Sequence, residues 1–189
     1  MEKTRHQLTD QDYFIPHWPI KYLFLGTFNP AGGDEVNYYY GRKRNQVWPL
    51  LREITGKELD LENKSAFLAE LKELGIGCMD MILEVHASTD RLAFVVGKGY
   101  SDAKIINNYT QRIYNTATIN TIIAQNEGVQ IFSTWGKGRP LKEWKNEVLK
   151  ISSIVSLVSP SMAAKVPKGI KKFEFMLADW SSKIFISKT

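Results

Sequence analysis

Residues 22–51 read YLFLGTFNPAGGDEVNYYYGRKRNQVWPLL, and the opening Tyr22-Leu23-Phe24-Leu25-Gly26 decides the fold. A short apolar run that ends in glycine reads as a buried strand. Open parallel sheets bind ligands outside the carboxyl ends of their strands, so chemistry is expected at residues 26–45. Tyr38, Tyr39 and Tyr40 offer rings that stack on a base, and Arg42, Lys43 and Arg44 offer charge for phosphates. A turn followed by buried tyrosines and a solvated basic cluster accounts for the same residues, so this stretch alone leaves both readings open.

Outward from this strand, similar apolar runs occur at 77–82, 129–133 and 154–158. Helical patterns lie between them, at 46–54, 63–74, 109–124, 137–149 and 169–182. In the second of these, Phe67, Leu68, Leu71 and Leu74 recur at helical spacing, with Lys64, Glu70, Lys72 and Glu73 on the other positions. Strands separated by helices favour parallel pairing through right-handed crossovers. The expectation is an α/β fold, a three-layer α/β/α domain around a central, mostly parallel four-stranded sheet. No repeat or linker divides residues 1–189, which read as one domain, with 1–19 as an arm or small cap. Residues 89–100 read as an irregular insertion whose tip is Gly97-Lys98-Gly99, too short a glycine pattern for a phosphate loop.

Composition narrows the function classes. A chain of 189 residues, 43% of them apolar, buries about 70% of its unfolded surface without a staple. The single Cys78 makes no internal disulfide and cannot cage zinc or an iron–sulfur cluster, which favours a reducing compartment. Met1-Glu2-Lys3-Thr4-Arg5-His6 has no signal-like apolar core, and no run of about 20 apolar residues follows. A soluble, cytoplasmic monomer is expected, with no membrane association. The net charge of +5 fits a polyanionic partner. A second basic cluster, Lys165, Lys168, Lys171 and Lys172, joins the first as a possible flank for one nucleic-acid strand, although a solvated helix start explains it too.

Familiar catalytic sets are absent: the chain has no Walker A motif, GxSxG elbow, HExxH helix or paired cysteines. No metal or other cofactor is expected. His6, His17 and His86 are scattered without ligand spacing, and of the three only His86, close to the sheet edge, is kept as a minor candidate. Asp80 lies in apolar surroundings where a carboxylate needs partners, and a cap or a catalytic role would each supply them.

Three segments carry a resemblance. They are Gly26-Thr27-Phe28-Asn29-Pro30, then residues 40–51 with Gly41, Asn45 and Trp48 in a G-x-x-x-N-x-x-W arrangement, and Ser159-Pro160-Ser161. In order and spacing they resemble the uracil-DNA glycosylase superfamily, in particular its mismatch-specific uracil and hypoxanthine-DNA glycosylase branches. Tyr100-Ser101-Asp102-Ala103-Lys104-Ile105 is similar to a serine–aspartate segment of the hypoxanthine type. The resemblance spans about residues 20–180. It implies the four-stranded parallel sheet, DNA as partner, and hydrolysis of an N-glycosidic bond on a nucleotide flipped out of the duplex. Such a site must orient water and stabilise a departing base, and one well-aimed donor supplies roughly 3 kcal/mol.

Carried over position by position, the resemblance makes Asn45 the first catalytic candidate and Asn29 the second. The family's first motif is G-x-D/N-P, and here Phe28 stands at its polar position. Gly26, Thr27, Phe28 and Tyr40 become the base pocket, with Phe28 or Tyr40 as the stacking ring. Arg42, Arg44, Ser159, Ser161, Met162 and Lys165 become the DNA contacts. Ser159 stands where the family has a histidine, Ser161 and Lys165 suit the backbone, and Met162 suits a wedge in the vacated stack. The leading expectation is a monofunctional glycosylase for hypoxanthine or uracil in base-excision repair. The alternative is a non-catalytic, damage-sensing member of the same fold, and a nucleoside hydrolase is a more remote third.

Overall fold

The computed structural model describes residues 1–32, 35–96, 111–136 and 142–186. Its strands are β1 (Glu2–Arg5), β2 (Tyr22–Gly26), β3 (Ile76–Asp80), β4 (Ile82–Ala87), β5 (Gln111–Tyr114), β6 (Gln130–Ser133) and β7 (Ile154–Ser156). Its helices are α1 (Val47–Thr55), α2 (Lys64–Leu74), α3 (Thr89–Val95), α4 (Thr116–Gln125), α5 (Lys142–Val148) and α6 (Lys172–Ser181). The fold is mixed α/β. A four-stranded sheet runs β3-β2-β6-β7 with every pairing parallel, and a three-stranded antiparallel sheet runs β1-β4-β5.

Alternation along β2 assigns its side chains to separate cores. Phe24 stacks on Phe132 of β6 at 5.2 Å and on Trp180 of α6 at 5.9 Å, in a cluster that also holds Leu50 and Leu51 of α1 and Phe67 of α2. Leu23 and Leu25 pack instead with Met79, Ile131 and, from α4, Ile119 and Ile122. The buried indoles are satisfied, Trp180 donating to Val158 O and Trp48 to Tyr39 O, both at 2.9 Å.

Local signals explain the helices that frame the site. The helix α1 tolerates Pro49 because its first turn has no intrahelical acceptor to lose. It stops at Gly56, whose φ of 72° suits the left-handed cap. Asn63 caps α2 by accepting the Ala66 N–H.

Three expectations need correction. The arm at residues 1–19 contributes a strand, β1, which pairs with β4 from Glu2↔Ala87 to Arg5↔Glu84. Where an irregular insertion was expected, residues 89–95 form α3, starting after Ser88. Residues 111–114, expected to be helical, form β5 because the free edge of β4 accepts them, and the helix begins only at Thr116. The Gly97-Lys98-Gly99 tip and the serine–aspartate segment at 100–105 lie outside the described residues. No helix among the described residues is long and apolar enough to cross a membrane.

Candidate functional site

The carboxyl ends of β2, β3 and β6 and the loop after β7 surround a cavity of about 610 Å³. Its lining combines three segments far apart in sequence: Gly26, Thr27, Phe28 and Asn29 after β2; Tyr40, Arg42, Arg44 and Asn45 before α1; and Ser159, Pro160, Ser161 and Met162 after β7. The second and third are stitched together by an Asn45↔Ser161 bridge and by Gln46 N–H donating to Pro160 O at 3.1 Å. Of the residues the resemblance assigned to catalysis, base pocket and DNA contact, Lys165 alone is off the wall. It is exposed on the loop beyond.

Asn45 has a divided amide. Its Oδ1 accepts the Val47 N–H at 2.9 Å and so starts α1, which leaves Nδ2 as the donor toward the cavity. Asn29 is held by its main chain, whose carbonyl accepts the Gln7 N–H at 2.9 Å. Its side chain lines the cavity and has no hydrogen-bond partner among the described residues.

The aromatic residues take different parts from those expected. Phe28 is 2% exposed and packs with Ile82, Val85 and Ala87, so it offers the cavity only a small part of its surface. Tyr40 is buried with its ring against Trp48, centroids 6.2 Å apart, and its hydroxyl toward Gly26 and Thr134. Its backbone sits at φ 58°, a left-handed conformation that costs a non-glycine residue strain. Tyr40 thus contributes a hydroxyl rather than a stacking face. Burial, followed by the nearby Cys78 and Asp80, pushes that hydroxyl well above the usual tyrosine range, so it keeps its proton. Trp135, half-buried on the wall and edge-on to Trp144 of α5 at 5.3 Å, adds an aromatic surface that sequence reading missed.

The floor holds the residue that sequence left undecided. Asp80 ends β3 in register with Gly26 and lines the cavity at 3% exposure. Its Oδ2 accepts from Nε2 of His6 at 2.8 Å, and His6 is wholly buried. The Nδ1 of His6 accepts the Leu8 N–H at 3.2 Å, so the ring hydrogen belongs on Nε2 and points at the carboxylate. Asn115 fixes the same turn by donating to Asp80 O at 2.8 Å. Thr134, the residue after β6, donates to Leu25 O at 3.1 Å and stands 3.4 Å from the Tyr40 hydroxyl.

His6 carried no sequence signal, because it reaches Asp80 across 74 residues through the β1–β4 pairing. Thr134 and Trp135 carried a weak one: they follow β6 as Thr27 and Phe28 follow β2. His86 lies away from the cavity, bonded to Glu84. Among the described residues no group of three or more His, Cys, Asp or Glu is arranged to hold a metal.

No family model, curated protein or solved structure matches this chain. The function therefore rests on the cavity and its chemistry.

Proposed function

We propose that the protein is a monofunctional DNA glycosylase that hydrolyses the N-glycosidic bond of a deaminated base, hypoxanthine or uracil, flipped out of DNA. The observation that carries this reading is the convergence of residues 26–29, 40–45 and 159–162 on one cavity at the carboxyl edge of a parallel sheet. The cavity's size is within the roughly 300–1,000 Å³ usual for ligand pockets. Separate apolar clusters around Phe24 and around Leu23 and Leu25 support the three-layer α/β/α arrangement this reading adopts.

The side chains divide the work. Asn29, with its amide unpartnered, accepts a hydrogen from the attacking water and holds its lone pair toward the sugar. Asn45, with Oδ1 committed to α1, donates from Nδ2 to the departing base. Both act in a partly enclosed site where an aimed hydrogen bond is worth more than in water. Trp135 supplies the stacking surface, the exposed Arg44 meets a flanking phosphate, and Met162, 48% exposed at the mouth, fills the gap in the stack.

The damage-sensing reading draws on Ser159, whose Oγ accepts the Ser161 N–H at 3.4 Å and so serves the turn. Incubation with duplexes carrying a single uracil, hypoxanthine or xanthine, scored as alkali-labile abasic sites, separates the two. Excision supports the enzyme, whereas tight, salt-sensitive binding without excision leaves the sensor.

A further inference from the structure

We infer that Asp80 and Tyr40 form an acceptor and donor pair at the floor of the cavity that reads the edge created by deamination, and that His6 is the positioning residue fixing that pair. This rests on the glycosylase reading and adds the groups that choose the base.

Deamination of adenine or cytosine changes adjacent atoms on the pairing edge. A ring nitrogen with a lone pair becomes N–H, and the neighbouring amine becomes a carbonyl. A site that distinguishes product from parent needs an acceptor facing the nitrogen and a donor facing the oxygen. The floor supplies both side by side. A Cβ built on Gly26 would lie 2.1 Å from Asp80 Oδ1 and 3.1 Å from the Tyr40 hydroxyl, so only glycine leaves these atoms room to meet over one point of the wall. The Asp80 carboxylate offers Oδ1 as an acceptor, and Tyr40 retains its own hydrogen, its hydroxyl accepting only a long 3.4 Å bond from Thr134 Oγ1 among the described side chains.

His6 settles which carboxylate oxygen is free. Because its Nε2–H engages Oδ2, Oδ1 is left facing the cavity, with no hydrogen-bond partner among the described residues. Depth assigns the pair to the base. Asp80, Tyr40 and Thr134 are buried, Asn45 is half-buried, and Ser161 and Met162 are exposed. A flipped nucleotide enters base first, so the floor groups meet its pairing edge, while Asn29, also buried, and the half-buried Asn45 meet the glycosidic bond. A parent base would turn a lone pair toward Oδ1, leaving two buried acceptors opposed, and sites of this kind discriminate strongly.

The test uses the full chain and single-turnover excision of hypoxanthine, adenine, uracil and cytosine from matched duplexes, with free hypoxanthine and adenine titrated calorimetrically. Wild type is expected to prefer each deaminated base over its parent by at least about 100-fold. Asp80→Asn keeps an acceptor for His6 Nε2–H and turns Nδ2 toward the cavity, so the preference falls at least about tenfold while circular dichroism stays native. Tyr40→Phe slows removal of the deaminated bases without improving that of the parents. His6→Gln, which can still donate to Asp80, retains more of the preference than His6→Ala.

Excision with an unchanged preference in folded Asp80→Asn overturns the inference and leaves the enzyme standing. If no duplex is cut, the free bases decide: tighter binding of hypoxanthine than adenine, lost in Asp80→Asn, supports the reading pair without catalysis. Equal or undetectable binding of both then overturns it.

Discussion

The floor and the rim of the cavity are built differently. On the floor, Asp80 and Tyr40 are buried at or beside strand ends, and each side chain meets a separate element: Asp80 bonds His6 beyond β1, and Tyr40 contacts Thr134 beyond β6. On the rim, Ser161 and Met162 are exposed, and their loop is held by main-chain contacts to residues 45–46 and by its own turn, in which Ser161 Oγ accepts the Ala163 N–H. Buried groups with few orientations discriminate, because a mismatched partner leaves them unsatisfied. Exposed groups add affinity but little choice, since water replaces whatever they lose. Under the proposed function, selectivity belongs to the floor and duplex affinity to the rim, with Asn29 and Asn45 assigned to the chemistry between them.

The sharpest challenge to this division lies at that boundary. Asn29→Ala is expected to lower single-turnover excision by about 10²–10³ with duplex affinity largely retained. Asn45→Ala should do the same and also cost about 1 kcal/mol of stability, because Oδ1 accepts the first N–H of α1. Equal losses of binding and turnover would merge the two regions into one.

Next in size is Gly26→Ala, which forces a methyl to within 2.1 Å of Asp80 Oδ1. Thermal melting should show a loss of about 1–3 kcal/mol, together with a weakened base preference. A smaller effect is expected from acid. His86, then Arg5 and Lys3, hold the Glu84 carboxyl below its ordinary value of 4.5, although burial opposes them. A lowered folded value means that the stabilisation is complete above the ordinary carboxylate range and is lost as pH falls through the folded value. Since Glu84 faces Arg5 across β1 and β4, a melting series below about pH 4.5 should loosen the strand that carries His6. Glu84→Gln should remove that share of the pH dependence.

Smallest in stability terms is the rim. Arg44→Ala and Lys165→Ala should each weaken duplex binding and reduce the salt slope by about 1, from an expected −3 to −4. Melting should change by less than about 0.5 kcal/mol. A large shift in base preference from either variant would contradict the assignment of choice to the floor.

The wall was more legible in sequence than the floor. Residues 26–29 and 159–162 follow apolar strand runs, and strand ends in a parallel sheet share one edge, so their convergence follows from periodicity and connectivity. Asn45 was legible as a cavity residue, but the commitment of its Oδ1 to Val47 N–H depends on where α1 begins. Tyr40 was read as a stacking ring because composition gives ring content and not ring direction; its ring packs in the core against Trp48. The antiparallel sheet was missed because β1 and β5 are each only four residues long, and strands of that length are specified by the edge they join.

Sequence by itself determined the parallel sheet, the edge that carries the cavity, and the basic and amide character of its wall. These are local properties: apolar runs, glycine stops and helical spacing act over a few residues. Only the tertiary structure decided that Asp80 stands beside Gly26 and that His6, 74 residues from it, holds one oxygen of that carboxylate. Such a contact is set by the pairing of distant strands and the space left by one absent Cβ, and neither is written in any short stretch of the chain.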